Sequence, residues 1–515
     1  MATPQAENPP EKKEEYHPLV SHLSGVDGYD PLKSYSFTSK AGINQEGHFT
    51  LDSLLEQIGF GSFHIKRFLA AGAMAFMDGA VVMTLSLSLV ILETEWGFGS
   101  TTESVVASIA FASIVLGAYL AGPIADKYGR RVPMIISCGF ICILNLASAF
   151  TTEIYSYTAL RALLAFGCGF YAPIGFTYVL EIMPPSIRGK VVTVAYAMMF
   201  IGELFACVVS LYALDSLSAG NWQALTIWST LPAIVSLMLS IAYMDESVRF
   251  LLISKKFNQA LIQLKISAEE SWSHEKVEIT EDVTFQLKQW LEFQDLAKSK
   301  NPPQPGIRVL LNKRFRKITL INWLVWFAIS FSYYGLTIFF PYILNVLTEQ
   351  EEASGLSSDL VALSGSSLTG YTISIGLESI SVVISYFVID SQMLGRKKGM
   401  MLFFGISSLF ALLAFVNRTI VGLVVWTTVL RITLDVCFFY SYLLALEAYP
   451  TKIRATGVGA AMAFGKAGTV LMPWVCSLLL EVDTFGPYIS FFVLCTVAAI
   501  ATLWLPPEIS KREMQ

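Results

Sequence analysis

The stretch GPIADKYGRR, residues 122–131, sits between two long apolar runs and packs Asp126, Lys127, Gly129, Arg130 and Arg131 into one short loop. A related string, DSQMLGRKK, recurs at 390–398. Gly129 and Gly395 stand 266 residues apart (395 − 129), and a second pair of strings keeps that spacing (447 − 181). These are EIMPPSIRG from Glu181 and EAYPTKIRA from Glu447, each with proline three residues on and arginine seven on. Two motifs sharing one offset point to a duplicated chain, each half about 200 residues of helices.

Working outward, the flanking runs set the class. Of the 515 residues 54% are hydrophobic and 15% charged, whereas a soluble domain is nearer a quarter charged. Many apolar runs exceed about 18 residues, enough to cross a bilayer as helix. The chain therefore reads as an all-α polytopic membrane protein, and continuous runs rather than short alternating segments argue against a β-barrel. Twelve spans are expected, at 67–92, 102–123, 132–150, 155–180, 190–213 and 224–243, then 317–347, 368–389, 399–416, 419–445, 456–480 and 485–505. They form two pseudo-symmetric six-helix bundles, 61–244 and 317–506, joined by a polar linker, 245–316, with helix-like stretches and an NPPQPG break at Asn301.

Residues 1–60 are polar and proline-containing, with no apolar core of a signal peptide and too many acids for a mitochondrial transit sequence. They read as a disordered tail ending in a short amphipathic helix, LDSLLEQIGF, at the membrane surface. Residues 507–515 form a second tail. All seven cysteines fall inside apolar runs, without metal-ligand spacing, so they read as small buried hydrophobes and no disulfide or metal site is expected. One set of loops holds Lys127, Arg130, Arg131, Arg188, Lys190, Arg396, Lys397, Lys398, Lys452 and Arg454. The other set holds Glu93, Glu95, Glu103, Glu153, Asp215, Glu349, Glu351, Glu352, Glu481 and Asp483, with one arginine, Arg418. The positive-inside rule places both termini and the motif loops in the cytosol. The sequon at Asn417 falls on the far side in a loop too short to favour its use.

Twelve spans in two halves, with GxxxDxxGRR after the second span and a degenerate copy after the eighth, resemble the major facilitator superfamily over about residues 57–510. Narrower strings are similar to the synaptic vesicle 2-related proteins and the organic-ion and niacin-type transporters beside them: IGFGSFH, DGAVV, DESVRFLL, FSYYGL, LGRKK and EAYPTKIRATGVG. In the second motif Asp390 stands five residues before its glycine, not three as in the first. The resemblance implies that the motif loops clamp the two halves together on the cytosolic side, through Asp126, Gly129, Arg130, Arg131, Glu181 and Arg188 and their counterparts Gly395, Arg396, Glu447 and Arg454. Asp126 is expected to cap a neighbouring helix start. A role as topology signal alone is the competing reading.

Charges at mid-bilayer cost several kcal/mol and so mark a cavity or a partner. By these span limits Asp78, Glu203, Glu378, Arg431, Asp435 and Lys466 are central and Arg161 lies in the outer half of span four. Arg431 and Asp435 have the i, i+4 spacing of an ion pair. Glu203 shifted by the offset falls within one turn of Lys466, so a cross-cavity Glu203–Lys466 pair is expected. Asp78 and Glu378 are the candidate proton carriers. Structural ion pairs are the alternative for the whole set. Tyr333 and Tyr334, before Gly335, are the aromatics best placed to contact an organic ring, more so than Trp323, Trp326, Phe438, Phe439 or Tyr440.

No GxxxxGK[ST] loop occurs, so ATP is not the driver, and no basic patch interleaved with aromatics suggests nucleic acid. The five histidines lie outside the spans and no catalytic constellation, cofactor motif or protein-partner motif stands out. The expected function is secondary active transport of a small organic ion by alternating access, with a proton as co-substrate, in the plasma membrane or an intracellular vesicle or organelle membrane. A non-transporting receptor or scaffold and a sugar-type facilitator are the alternatives.

Overall fold

The computed structural model describes residues 41–42, 49–274, 276–300, 309–353, 366–388, 394–449 and 451–505. All twelve expected spans are helical, long and apolar enough to cross a membrane. In the first half they are α2 (Ser62–Trp96), α3 (Ser100–Tyr128), α4 (Arg131–Ser148), α5 (Ile154–Ile182), α6 (Arg188–Ala213), and a sixth span broken into α7 (Trp222–Trp228) and α8 (Leu231–Tyr243). The break falls at Ser229–Thr230, where Pro232 in the first turn of α8 cannot extend the preceding helix. The second half begins with α12 (Arg316–Ala353). Its eighth span divides at Ser379 into α13 (Ser367–Glu378) and α14 (Ile380–Val388), followed by α15 (Gly395–Val416), α16 (Ile420–Glu447), α17 (Thr451–Val482) and α18 (Gly486–Leu503).

Helix starts are fixed by local chemistry. Asn221, Ser366 and Thr419 each accept a backbone N–H at the first turn of α7, α13 and α16, satisfying donors that a helix leaves unpaired.

The duplication read from the motifs recurs in the packing. Within the first half the first span lies on the fifth, the second on the fourth and the third on the sixth; the second half repeats these pairings. The first–fifth contact is a backbone contact: a Cβ on Gly79 would meet Met199 O at 2.0 Å, and one on Gly202 would meet Phe76 O at 1.9 Å. Only glycine permits that approach of α2 to α6. The halves meet where α2 packs on α12, α3 on α17 and α6 on α13.

The polar linker carries α9 (Val248–Ile253), α10 (Phe257–Glu269) and α11 (Glu281–Lys300). α1 (Leu51–Ile58), capped by Thr50, is the amphipathic helix expected near the end of the N-terminal tail. Its apolar face does not lie on lipid: Leu51, Leu54, Leu55 and Ile58 are buried against Val248, Leu251, Leu264, Val283 and Leu287 of the linker. Asp52 binds both Arg188 and Arg249 at 2.7 Å, and Lys66 pairs with Glu270 at 2.9 Å. These contacts tie α1, the linker and the ends of α2 and α6 into one small subdomain. The remainder of the tail at 1–40, the NPPQPG break and the C-terminal tail lie outside the described residues.

Candidate functional site

At the middle of the bundle the helices bring intramembrane charges from both halves together. Arg431 of α16 is wholly buried. Its guanidinium donates to Glu203 of α6 at 3.0 Å and to Glu378 of α13 at 2.6 Å. A third bond runs to Thr337 Oγ1 of α12 at 3.1 Å. Glu203 accepts a further bond from the Tyr333 hydroxyl at 3.0 Å, and the Tyr333 ring lies 5.1 Å from the Arg431 guanidinium carbon. Glu203 comes from the first half and the other four from the second, so this cluster is a seam between the bundles. Asp435 is also buried, beside Glu378 and Arg431. Among the described residues neither oxygen of Asp435 has a hydrogen-bond donor, nor has Glu378 Oε1. Three carboxyl groups thus surround one guanidinium, and three of their six oxygens lack a donor.

A second cluster adjoins the first. Lys466 Nζ of α17 lies over the Tyr334 ring at 5.1 Å and within electrostatic reach of Asp78 on α2. Tyr333 and Tyr334 meet edge to face, so the two adjacent tyrosines of α12 each serve one cluster. The structure therefore assembles Asp78, Glu203, Glu378, Arg431, Asp435, Lys466, Tyr333 and Tyr334 at one level. Trp326 and Phe438 line the same region, edge to face with one another.

Two pairings differ from the sequence expectation, and one candidate residue stands apart. Arg431 pairs with Glu203 and Glu378, not with Asp435 one turn along, because the guanidinium reaches across to neighbouring helices where it satisfies two acids. Glu203 is taken by Arg431 and Tyr333 rather than by Lys466. The offset does identify equivalent places, but α6 packs across the seam on α13 whereas α17 packs on α3, so equivalent residues face different partners. Arg161 is not in the central set: it is buried near the opposite end of α5, donating to Asn145 Oδ1 at 3.2 Å and lying over the Tyr157 ring at 5.0 Å.

The motif loop after α3 is also built differently. Arg130 is buried and donates to Glu181 at 2.9 Å and to Ala125 O at 3.1 Å. Asp126, with 77% of its side chain exposed, only touches Arg130 at 3.5 Å. The carboxylate that caps the start of α4 is Glu246, which accepts from the backbone N–H of Arg130 at 2.8 Å and of Arg131 at 3.3 Å. Ser247 donates to Glu181 at 2.5 Å and caps α9 through the Phe250 N–H. Arg131 is exposed, and Arg188 reaches Met183 O and Asp52 rather than Glu181. These contacts join the loop to α5 and to the linker inside the first half; among the described residues they do not bridge to the second half. Gly395 and Arg396 open α15, Gly395 with φ +57°. Asp390 and the side chains of Glu447 and Arg454 lie outside the described residues. Glu246 and Ser247 were missed as site residues although DESVRFLL was noticed; an acid and a serine directly before a helix are a cap signal that could have found them.

Comparison with known proteins follows the same lines. The synaptic vesicle 2-related protein of Pongo abelii is 28% identical over 91% of this chain and 82% of that protein. The organic cation/carnitine transporter 7 of Arabidopsis thaliana is 28% identical over 90% of this chain and 96% of that protein. The inward open conformation of the xylose transporter XylE from E. coli superposes with a TM-score of 0.67 and 15% identity, over 88% of this chain and 98% of that one. Its partially occluded inward open conformation gives 0.67 over 87% and 100%. Residues 73–515 match the family described as sugar (and other) transporter. The chain belongs to this family of transporters, and its fold is that of the major facilitator superfamily structures that superpose on it.

Proposed function

We propose that the protein is a secondary active transporter that carries a small organic cation by alternating access, with a proton as co-substrate. The observation that carries this reading is the Arg431 cluster. Glu203, Glu378, Asp435 and Asp78 stand against Arg431 and Lys466, and Arg161 lies elsewhere, so the centre holds two more acids than bases. An unpaired buried carboxylate is expensive, so the excess is met by protons or by a cationic guest. Glu378 and Asp435, adjacent and short of donors, are the natural place for one proton between two carboxyl groups. Tyr333 and Tyr334 offer ring faces to an aminated ring. The inward-open state of the XylE structures that superpose on this chain and the name of the Arabidopsis relative favour the mechanism and the substrate class respectively. The positive-inside rule puts the basic loops and both termini in the cytosol.

A sugar-type facilitator is the second reading, favoured by the family description and by the titles of the XylE structures. The test is uptake by the purified full chain in proteoliposomes, with aminated aromatics, nicotinate and xylose offered at pH 5.5 and 7.5. Cation uptake that changes several-fold between the two pH values, and loses that change in Glu378→Gln or Asp435→Asn, is the expected result. Xylose uptake indifferent to pH favours the second reading. No uptake of any of them under either condition leaves a scaffold role.

A further inference from the structure

Away from the central clusters, Glu103 stands in the first turn of α3, at the end of the bundle that carries the acidic loops. It is 0% exposed, and among the described residues neither carboxylate oxygen has a hydrogen-bond partner. Its surroundings are the seam itself. The neighbouring Ser104 Oγ donates across the halves to Pro473 O of α17 at 3.0 Å, and Ser108 Oγ one turn along donates to Val470 O at 3.3 Å. Leu92, Val106, Leu344 and Leu347 from both halves share the apolar core there.

The charges facing this place are of one sign. Glu93 at the end of α2 acts on Glu103, and Glu349 of α12 acts on Glu93. Tyr342 of α12 lies within reach of all three. Glu349 is held by Asn345 at 2.9 Å and by Ser218 at 3.5 Å, and Glu95 accepts from the Trp222 indole at 2.8 Å. The cation on α5, Arg161, is engaged instead by Asn145 at 3.2 Å and lies over the Tyr157 ring. The charge on α17, Lys466, lies about two turns deeper and faces Asp78. Among the described residues no three acidic, histidine or cysteine side chains converge closely enough to hold a metal ion.

We propose that Glu103 is a second proton-binding site, at the acidic-loop end of the seam, and that closing this end takes up a proton there. A bare carboxylate without donors, beside another acid, is far costlier to bury than the neutral acid. When the seam opens, water reaches Glu103 and the acid ionises, releasing its proton to that compartment. One proton is bound on closing and one released on opening, so a rise in pH on that side favours the open form. This rests on the alternating-access reading above and not on proton coupling at the Arg431 cluster.

The test uses the full chain in proteoliposomes with Ser108→Cys as reporter and a membrane-impermeant maleimide on the acidic-loop face. At each pH from 5.5 to 8 the labelling rate of S108C is divided by that of S108C/E103Q, which cancels the ionisation of the thiol itself. The ratio is expected to rise about tenfold across the range, one pKa unit of linkage per factor of ten. A flat ratio overturns the proposal while leaving alternating access intact. A reporter that stays unreactive at every pH in both proteins overturns it together with alternating access. S108C/E93Q supplies an independent variant: its own rise with pH, against S108C/E93Q/E103Q, should be smaller, and an undiminished rise counts against the cluster.

Discussion

Arg431 holds two acids from different halves, and among the described residues neither acid has another cation in contact. Arg431→Gln therefore strands Glu203 and Glu378 as buried acids. Removing one partner of a buried ion pair costs about 3–5 kcal/mol. The purified variant should unfold at a clearly lower temperature in a thermal-shift assay and show no uptake. Adding Glu203→Gln should recover part of the stability, because one of the stranded acids is then neutral, whereas fully additive losses would argue against a direct contact. The identity of these residues was legible in the sequence: charged residues in the middle of apolar runs are few, and the six read as central lie together beside Tyr333 and Tyr334, with Arg161 of the outer half apart from them. Their partners were not legible. Spacing along one helix suggested Arg431 with Asp435, and internal symmetry suggested Glu203 with Lys466. Which side chain meets which depends on the rotation and cross-seam neighbours of each helix, and one chain's residue order does not encode these locally.

At the scale of elements, α1 shows how a helix can be found and its neighbours missed. Its apolar periodicity is plain in LDSLLEQI, but the same pattern fits a lipid surface or a protein groove equally well. The choice is made by Asp52, which is bound by Arg188 and Arg249. Burial pushes the Asp52 carboxyl up, but the hydrogen bonds and charges of these two arginines outweigh it and hold it below the ordinary carboxylate range. A carboxyl depressed in the folded state contributes stability above its ordinary value and loses that contribution as pH falls through the folded one. α1 should accordingly stay docked near neutral pH and come loose at pH below about 4. Asp52→Asn should already be loose at pH 7. Limited proteolysis between α1 and α2, compared at the two pH values, reads this directly; equal cleavage of wild type and variant at pH 7 would show that the arginines do not hold the helix. Glu246 makes the complementary point for the motif loop. The GRR string drew attention to its own acid, Asp126, but that side chain points to solvent, and the cap arrives from 116 residues further along.

For the whole molecule, twelve spans and two halves were readable because hydropathy and a repeated offset are global signals, whereas the pairings of spans within each half came only from the structure. The seam was not, since it depends on how two bundles lean together. On the basic-loop side the halves touch through the Tyr196 and Tyr442 hydroxyls, with Phe176 stacked on Tyr196 at 4.8 Å and Trp326 edge-on to Tyr442 at 4.6 Å. Aromatic pairs contribute about 0.5–1.5 kcal/mol each beyond simple burial, so Tyr442→Ala should favour opening there. A cysteine at Ala460, which packs with Tyr442 against the Trp323, Trp326 and Ala461 cluster, should then label several-fold faster with an impermeant maleimide on that face, and an unchanged rate would remove these rings from the closure. The glycine contact between α2 and α6 carries a further consequence. Gly79 follows Asp78 and Gly202 precedes Glu203, and a Cβ on Gly79 would lie 3.1 Å from the Glu203 amide nitrogen. The two acids of the first half thus ride on a single rigid lever and cannot drift apart. On the alternating-access reading proposed above, Lys466 and Arg431 would withdraw with the second half, Arg431 keeping Glu378. A negative cradle of fixed span would then stay behind, and the two absent methyl groups that hold Asp78 and Glu203 together would favour a cationic guest on that reading.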